Sequence, residues 1–457
     1  MSVRGPLGAT PQGGAFDLTA PSRAARRPLS ARRSLSGRQG RLGLAGLLVT
    51  VFVISIAAAR TNVLLPQSVA IGVPGSLAGV FGGIGLNLGL AGAIAVFMLM
   101  FVSYVLTIRA VDQLSPRAVL ISIAALTALV LLAPPLLSTD VFSYGAYGRM
   151  GALYGANPYL YGPSAIALDP VYPFIGSQWV TIPTAYGPVF TALSYLLAPL
   201  GIAASVFAFK SIAAISTLAL VAVVWNAARL RGLDPIKAVA FVGLNPVILV
   251  YGVGGGHNDL LMLALLLTGV YMLLQRRERA GGALIVAATA VKLTAGLLLP
   301  FAFAGGVGRR AGLGGRRGVL AGAGLAAAVI AALGFALFGI GPLYLLSTLG
   351  KIQNQDGLES IPGSISAALG LGELGIAAEL VLASGFVVSF LWLLRRVWIG
   401  ELDWITGAGW ATVALLITTG SLLPWYVGWL VPLAALSSDR RLWLTTIALT
   451  AVGLTSL

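Results

Sequence analysis

Acidic residues are scarce in this chain, 14 in 457 positions, and one of them, Asp140, closes the apolar run AVLISIAALTALVLLAPPLL. A carboxylate at the edge of such a run is suited to take a proton from an attacking hydroxyl. Asp140 heads the segment DVFSYGAYGRMGALYGANPYLYG, and seven of the 13 tyrosines fall from it through Tyr186 inclusive, together with Trp179. Such rings anchor at a membrane interface or form a platform for stacking sugar rings; Tyr144, Arg149, Asn157, Tyr159 and Tyr186 are the binding candidates there. His257, the only histidine, lies in GGGHND beside Asn258 and Asp259, where three polar side chains and flexible glycines suit recognition of hydroxyls or phosphate. A lone histidine cannot build a histidine-rich metal site. A phosphate would need positive charge, for which Arg149, Lys210 and Lys351 are candidates, with headgroup snorkelling the competing role of Lys210. Lys292 sits inside an apolar stretch, where an ionisable group marks function by default and a structural pairing is the competitor. Asp356 is a further acid beyond the spans, and Trp425 and Tyr426 of PWYVGW suit either an aromatic belt or a groove lining. A divalent metal on Asp140, Asp259 and Asp356 is chemically open, but chemistry without a cofactor is expected.

The elements that must position these residues are membrane helices. The chain is 58% hydrophobic and only 9% charged, with mean hydropathy +0.94, against about 25% charged for a soluble domain. It reads as an all-α polytopic membrane protein embedded in a lipid bilayer. The net charge of +15 resides in short basic runs between apolar segments, the pattern of membrane topology, so a nucleic-acid partner is not expected. With no cysteine, disulfides and thiolate metal sites are excluded. Residues 1–42, rich in Arg, Pro, Ser and Gly, read as a disordered basic cytoplasmic tail, and residues 43–457 as the membrane domain.

The positive-inside rule orders the spans. The first covers about 43–60, the second about 86–108 and the third about 117–136, which puts Asp140 on the extracytoplasmic side and the N-terminus in the cytoplasm. A long extracytoplasmic region over 138–204 follows, with interfacial helices; its length makes it a functional loop. One rising segment over about 237–254 and a descending one over about 258–275 flank GGGHND. Arginines at both ends of ALIVAATAVKLTAGLLLPFAFAGGVGRR call for two half-helices meeting near Lys292, tolerable only around protein or a wet cavity. The total is about 11–13 helices including the two half-helices.

The order DVFSYGAYGR, GANPY, YGP, GGGHNDLLM, AVKL followed by LP, and late PWYVGW resembles the membrane glycosyltransferases of the GT-C fold that use polyprenyl-phosphate sugars. It is most similar to the actinobacterial polyprenol-phosphomannose-dependent alpha-(1→6)-mannosyltransferases, over roughly residues 115–435. The resemblance implies a polyprenyl-phosphate sugar donor, a glycan or glycolipid acceptor, and Asp140 as catalytic base in the first large external loop. A transporter or flippase of lipid-linked glycans is the alternative, since half-helices and a buried lysine suit one. It is weakened by the lack of an internal repeat and by polar residues gathered at one face.

Overall fold

The structure, a computed structural model, describes residues 36–60, 62–66, 75–306, 312–353, 360–370, 374–420 and 422–455. Among them every regular element is helical. Helix α1 (Gly37–Ala57) packs on α2 (Gly89–Arg109) and α3 (Pro116–Leu132). Then follow α4 (Asp140–Tyr154), α5 (Pro188–Leu197), α6 (Ile202–Leu230), α7 (Pro235–Gly243), α8 (Asp259–Leu274) and α9 (Glu278–Thr289). The last part holds α10 (Gly312–Phe338), α11 (Leu345–Gln353), α12 (Ile361–Ala368), α13 (Ile376–Trp398), α14 (Trp404–Thr418) and α15 (Arg440–Thr455). Five of these, α1, α2, α6, α10 and α13, are long and apolar enough to cross a membrane, and a bent pair beginning with α7 makes a sixth. Other apolar helices, α3, α5, α8 and α14 among them, are shorter, 10–17 residues. The chain is polytopic and all-α.

The first departure from the sequence reading is α4, a helix of 15 residues at the start of a region expected to contain helices but with none placed there. Asp140 opens it, where a carboxylate favours the positive end of the helix dipole, and Gly155 closes it at φ +67°. Its apolar period is hidden because residues from Val141 to Gly148 are all buried, and a helix buried all round shows no amphipathic stripe. The second departure is at 237–254, which does not rise as one helix. The chain bends by 56° between α7 and a π-helical segment, Ile248–Gly254. Pro246 cannot continue the hydrogen-bond ladder, and Asn245 fills the gap: its Oδ1 accepts from the N–H groups of Val247 at 3.0 Å and Ile248 at 3.4 Å.

Two further devices set the approach to Asp140 and Lys292. The exit of α3 is held by Lys210, fully buried on α6, whose Nζ donates to the carbonyls of Ala133 and Pro134. The chain ahead of Asp140 then donates through Leu136 N–H to the Gly254 carbonyl at 3.0 Å. After α9 the helix breaks, and Lys292 is extended (φ −147°, ψ 126°) before a 3-10 turn, Leu293–Leu297. The carbonyls orphaned by that break are taken by Gly187 N–H, on Val291, and Val189 N–H, on Ala290, both at 3.0 Å. Residue 187 must be glycine, since a Cβ there would fall 2.1 Å from the Ala290 oxygen.

Leu168, in the connection between α4 and α5, is fully exposed, and Ser438, just before α15, is exposed as well. Single cysteines at these two positions, in a chain with none of its own, test the topology. An impermeant thiol reagent added outside intact cells is expected to modify Leu168→Cys and spare Ser438→Cys, with the reverse in inverted vesicles. The opposite labelling would invert the assignment of faces.

Candidate functional site

A cavity of about 210 Å³ lies where the start of α4, the break after α9 and the aromatic turn Pro424–Trp429 converge. Asp140, Tyr186 and Lys292 line it, as do Trp425, Tyr426 and Trp429. Among the described residues Asp140 is the one carboxylate in the lining and Lys292 the one cation. Leu349 and Ile352 of α11, Leu415 and Leu416 of α14, and Leu423 make an apolar flank. The cavity thus pairs a polar end with a greasy one.

The Asp140 side chain is 13% exposed. Its Oδ2 lies 3.5 Å from the Tyr144 hydroxyl, 3.4 Å from the Tyr186 hydroxyl and 3.5 Å from His257 Nδ1. These are long contacts, at the limit of hydrogen bonding. Tyr144 is oriented by edge contacts with Tyr186, Phe190 and Phe209, at ring separations of 4.9, 4.8 and 5.5 Å. His257, fully buried, stacks on Trp425 with ring centres 4.0 Å apart. Its Nδ1 also lies 3.9 Å from Asp259 Oδ2, and its Nε2 is buried without a partner among the described residues.

Asp259 is in a different state. Its Oδ1 accepts from Lys292 Nζ at 2.7 Å and from the indole N–H of Trp429. The Lys292 ammonium sits over the rings of Tyr426 and Trp429, 5.1 and 5.3 Å from their centres, a further electrostatic attraction. The side chain retains 12% exposure, on the cavity it lines. Asn258 is buried with neither amide atom partnered among the described residues.

Thus Asp140, Tyr144, Tyr186, His257, Asp259, Lys292, Trp425 and Tyr426 come together, whereas other candidates lie elsewhere. Lys210 is committed to the two carbonyls at the exit of α3. Arg149 clamps Asp169 through Nε, at 2.9 Å to both oxygens, and through a second nitrogen at 2.8 Å, while donating to the Ala198 carbonyl. Asn157 donates to the Phe338 carbonyl, and the Tyr159 hydroxyl donates to the Tyr186 carbonyl. The second tie positions the turn that presents Tyr186. Lys351 is exposed on α11 and outside the cavity lining, and Asp356 lies outside the described residues. Ser143 and Thr294, which also line the cavity with hydroxyls lacking a partner among the described residues, escaped the sequence reading. Their signal was spacing: three residues after Asp140 on one helix, and two after Lys292.

Fold and site together define a polytopic, all-α membrane protein with a carboxylate and an ammonium facing one partly apolar cavity. The chain belongs to the alpha-(1->6)-mannopyranosyltransferase N-terminal domain family, whose model matches residues 41–306, a stretch that holds Asp140, His257, Asp259 and Lys292. It is similar to alpha-(1->6)-mannopyranosyltransferase A of Mycobacterium tuberculosis, 34% identical over 186 residues that make up 38% of this chain and 35% of that protein. The protein of the same name from Corynebacterium glutamicum is 30% identical over 175 residues, 37% of this chain and 35% of its own length. The aligned part thus spans about a third of the curated relatives' length. No solved structure matches the chain.

The Arg149–Asp169 clamp generates a pH prediction. Burial pushes the Asp169 carboxyl up, but Arg149, the Val171 N–H and the Tyr154 hydroxyl outweigh it and bring the group below the ordinary value of 3.8. A depressed carboxylate stabilises the fold above its unfolded value, and that stabilisation disappears as pH falls through the folded value. Hydrogen exchange in the connection between α4 and α5 is therefore expected to accelerate below about pH 3.8, beyond the intrinsic change in rate. Asp169→Asn should exchange faster at neutral pH and lack that acid step.

Proposed function

We propose that this chain is a membrane mannosyltransferase that moves mannose from a polyprenyl-phosphate donor to a glycan or glycolipid hydroxyl, at the extracytoplasmic face, with Asp140 as general base. The observation that carries this reading is the lining of one cavity, among the described residues, by a single carboxylate and a single cation, beside an apolar flank. Family membership supports mannosyl transfer, and the names of the relatives support an α-(1→6) linkage.

The acceptor oxygen attacks the anomeric carbon while the bond from that carbon to the phosphate oxygen breaks. The acceptor proton passes to Asp140, and the electron pair leaves with polyprenyl phosphate. Lys292 meets the phosphate: a charge-assisted N–H···O contact is among the stronger hydrogen bonds, and it neutralises charge that grows on the leaving group. Its partners Asp259 and Trp429 hold the ammonium in place. Leu349, Ile352, Leu415 and Leu416 suit the first isoprene units, since burying apolar chain is favourable by about 25 cal/mol per Å². Direct displacement fits better than a covalent glycosyl intermediate, which would use a second carboxylate about 5–5.5 Å from the first; the nearby Asp259 is engaged by Lys292 and Trp429.

Asp140→Asn keeps the shape but cannot accept the proton. In purified protein at saturating donor, turnover should fall at least about a hundredfold while donor binding persists. Near-normal turnover in the folded variant would remove Asp140 from the mechanism. Lys292 needs a paired change, because losing it alone leaves Asp259 buried without its cation. Lys292→Gln with Asp259→Asn should raise the donor KM about ten- to hundredfold, with a smaller effect on kcat than Asp140→Asn. An unchanged donor KM would sink the phosphate role. Radiolabelled sugar transfer in reconstituted vesicles checks the reaction class: lipid movement with no glycosidic bond formed would replace the transferase reading with a flippase.

A further inference from the structure

A second cavity, about 550 Å³, opens between the first turns of α9 and α10. It lies at the far end of α9 from Lys292, and twelve helical residues at 1.5 Å each place it roughly 18 Å from the break that carries that lysine. Three guanidiniums, Arg277, Arg279 and Arg317, line it with a single carboxylate, Glu278. Among the described residues none of the four is in a salt bridge. Neighbouring Arg316 is differently placed: it stacks on Trp398 at 4.1 Å and donates to the Ala304 carbonyl. Among the described residues the cavity therefore has an excess of two positive charges that no salt bridge offsets.

Two features make this a formed site. The walls are fixed, because α9 and α10 meet backbone to backbone. A Cβ on Gly322 would lie 1.9 Å from the Arg279 carbonyl oxygen, and one on Gly282 would lie 2.2 Å from that of Val319; small residues of this kind let membrane helices approach closely. The second feature is what adjoins it. Along the i+4 row from Arg317, Ala321, which also lines the cavity, is followed by the exposed apolar side chains Leu325, Val329 and Leu333 on α10. A polar end that is rich in guanidinium and continuous with an apolar helix face matches an amphiphile whose head is an anion.

We propose that this cavity binds the phosphodiester headgroup of an anionic phospholipid, with the acyl chains lying along α10. Guanidinium is the group suited to the task, since its planar fork pairs two N–H donors with two phosphate oxygens. Basic pockets between membrane helices are the setting in which lipid headgroups of this kind are held. The site is separate from the mannosyl-transfer cavity, and its occupancy stabilises the contact between α9 and α10 without entering the reaction.

The test uses the full chain in neutral detergent, with phosphatidylglycerol, phosphatidylcholine and inorganic phosphate as probes. A ligand that binds only the folded state raises Tm, so phosphatidylglycerol should raise it while phosphatidylcholine and millimolar inorganic phosphate leave it nearly unchanged. Native mass spectrometry should show phosphatidylglycerol retained in preference to phosphatidylcholine. The variant Arg277→Gln, Arg279→Gln, Arg317→Gln should lose that preference, by about fivefold for each charge removed. Replacing the same three residues by Lys should keep part of it. Equal retention of the two lipids by the unmodified protein would overturn the proposal, as would undiminished preference in the Gln variant. A Tm rise with inorganic phosphate equal to that with phosphatidylglycerol would overturn the lipid assignment in favour of a soluble phosphate.

Discussion

The ion pair between Lys292 and Asp259 is the contact on which the site geometry depends. Both side chains are largely buried in an apolar protein, 12% and 4% exposed. Desolvating two charges costs several kcal/mol each, and the cost is tolerable only with tight geometry and extra hydrogen bonds. The 2.7 Å contact supplies the first, and the Trp429 indole N–H on the same carboxylate oxygen supplies the second. Three distant stretches of chain are fastened by this arrangement: the start of α8, the break after α9 and the turn Pro424–Trp429. His257 precedes Asp259 by two residues, so fixing Asp259 also fixes the imidazole that stacks on Trp425 and reaches toward Asp140.

The same place is where regular helix stops. A helix that ends inside a membrane exposes backbone groups that water cannot reach, and each must find a partner. Here the partners are local and specific. Asn245 serves the N–H groups after Pro246, while Gly187 and Val189 serve the carbonyls before Lys292. The bonds from Gly187 and Val189 bring the Tyr186 turn against the Lys292 break, and Tyr186 contacts Asp140. The cavity is thus a consequence of interrupted helices whose loose ends are satisfied by one another.

Much of this was legible in the sequence. Composition declared the membrane class, and rarity singled out Asp140, His257 and Lys292, because an ionisable residue in an apolar chain is expensive. The break at Lys292 was legible through arginines at both ends of one apolar stretch. The partners of the cations were not. Arg149 and Lys210 looked as well suited to a phosphate as any other, yet Arg149 is held by Asp169 twenty residues on, and Lys210 by carbonyls 76 and 77 residues back. Sequence spacing carries no record of such contacts. α4 was concealed for a different reason: burial on every side from Val141 to Gly148 erases the periodicity by which a helix is found.

Two carboxylates flank one imidazole, and their surroundings divide their roles. Asp259 gives one oxygen to an ammonium and an indole at short range, which ties that charge to a structural task. Among the described residues the Asp140 carboxylate receives approaches of 3.4–3.5 Å from two phenols and the imidazole, all toward Oδ2, and it faces the cavity. A carboxylate pinned by a cation is a poor proton acceptor, because taking the proton would break the pair. Asp140 has no lysine or arginine partner among the described residues and opens onto the cavity. On the proposed reaction, the imidazole between them, at 3.5 Å from one and 3.9 Å from the other, keeps the base in register with the cation that meets the leaving phosphate. On that proposal, proton removal and departure of the phosphate would share one rigid frame.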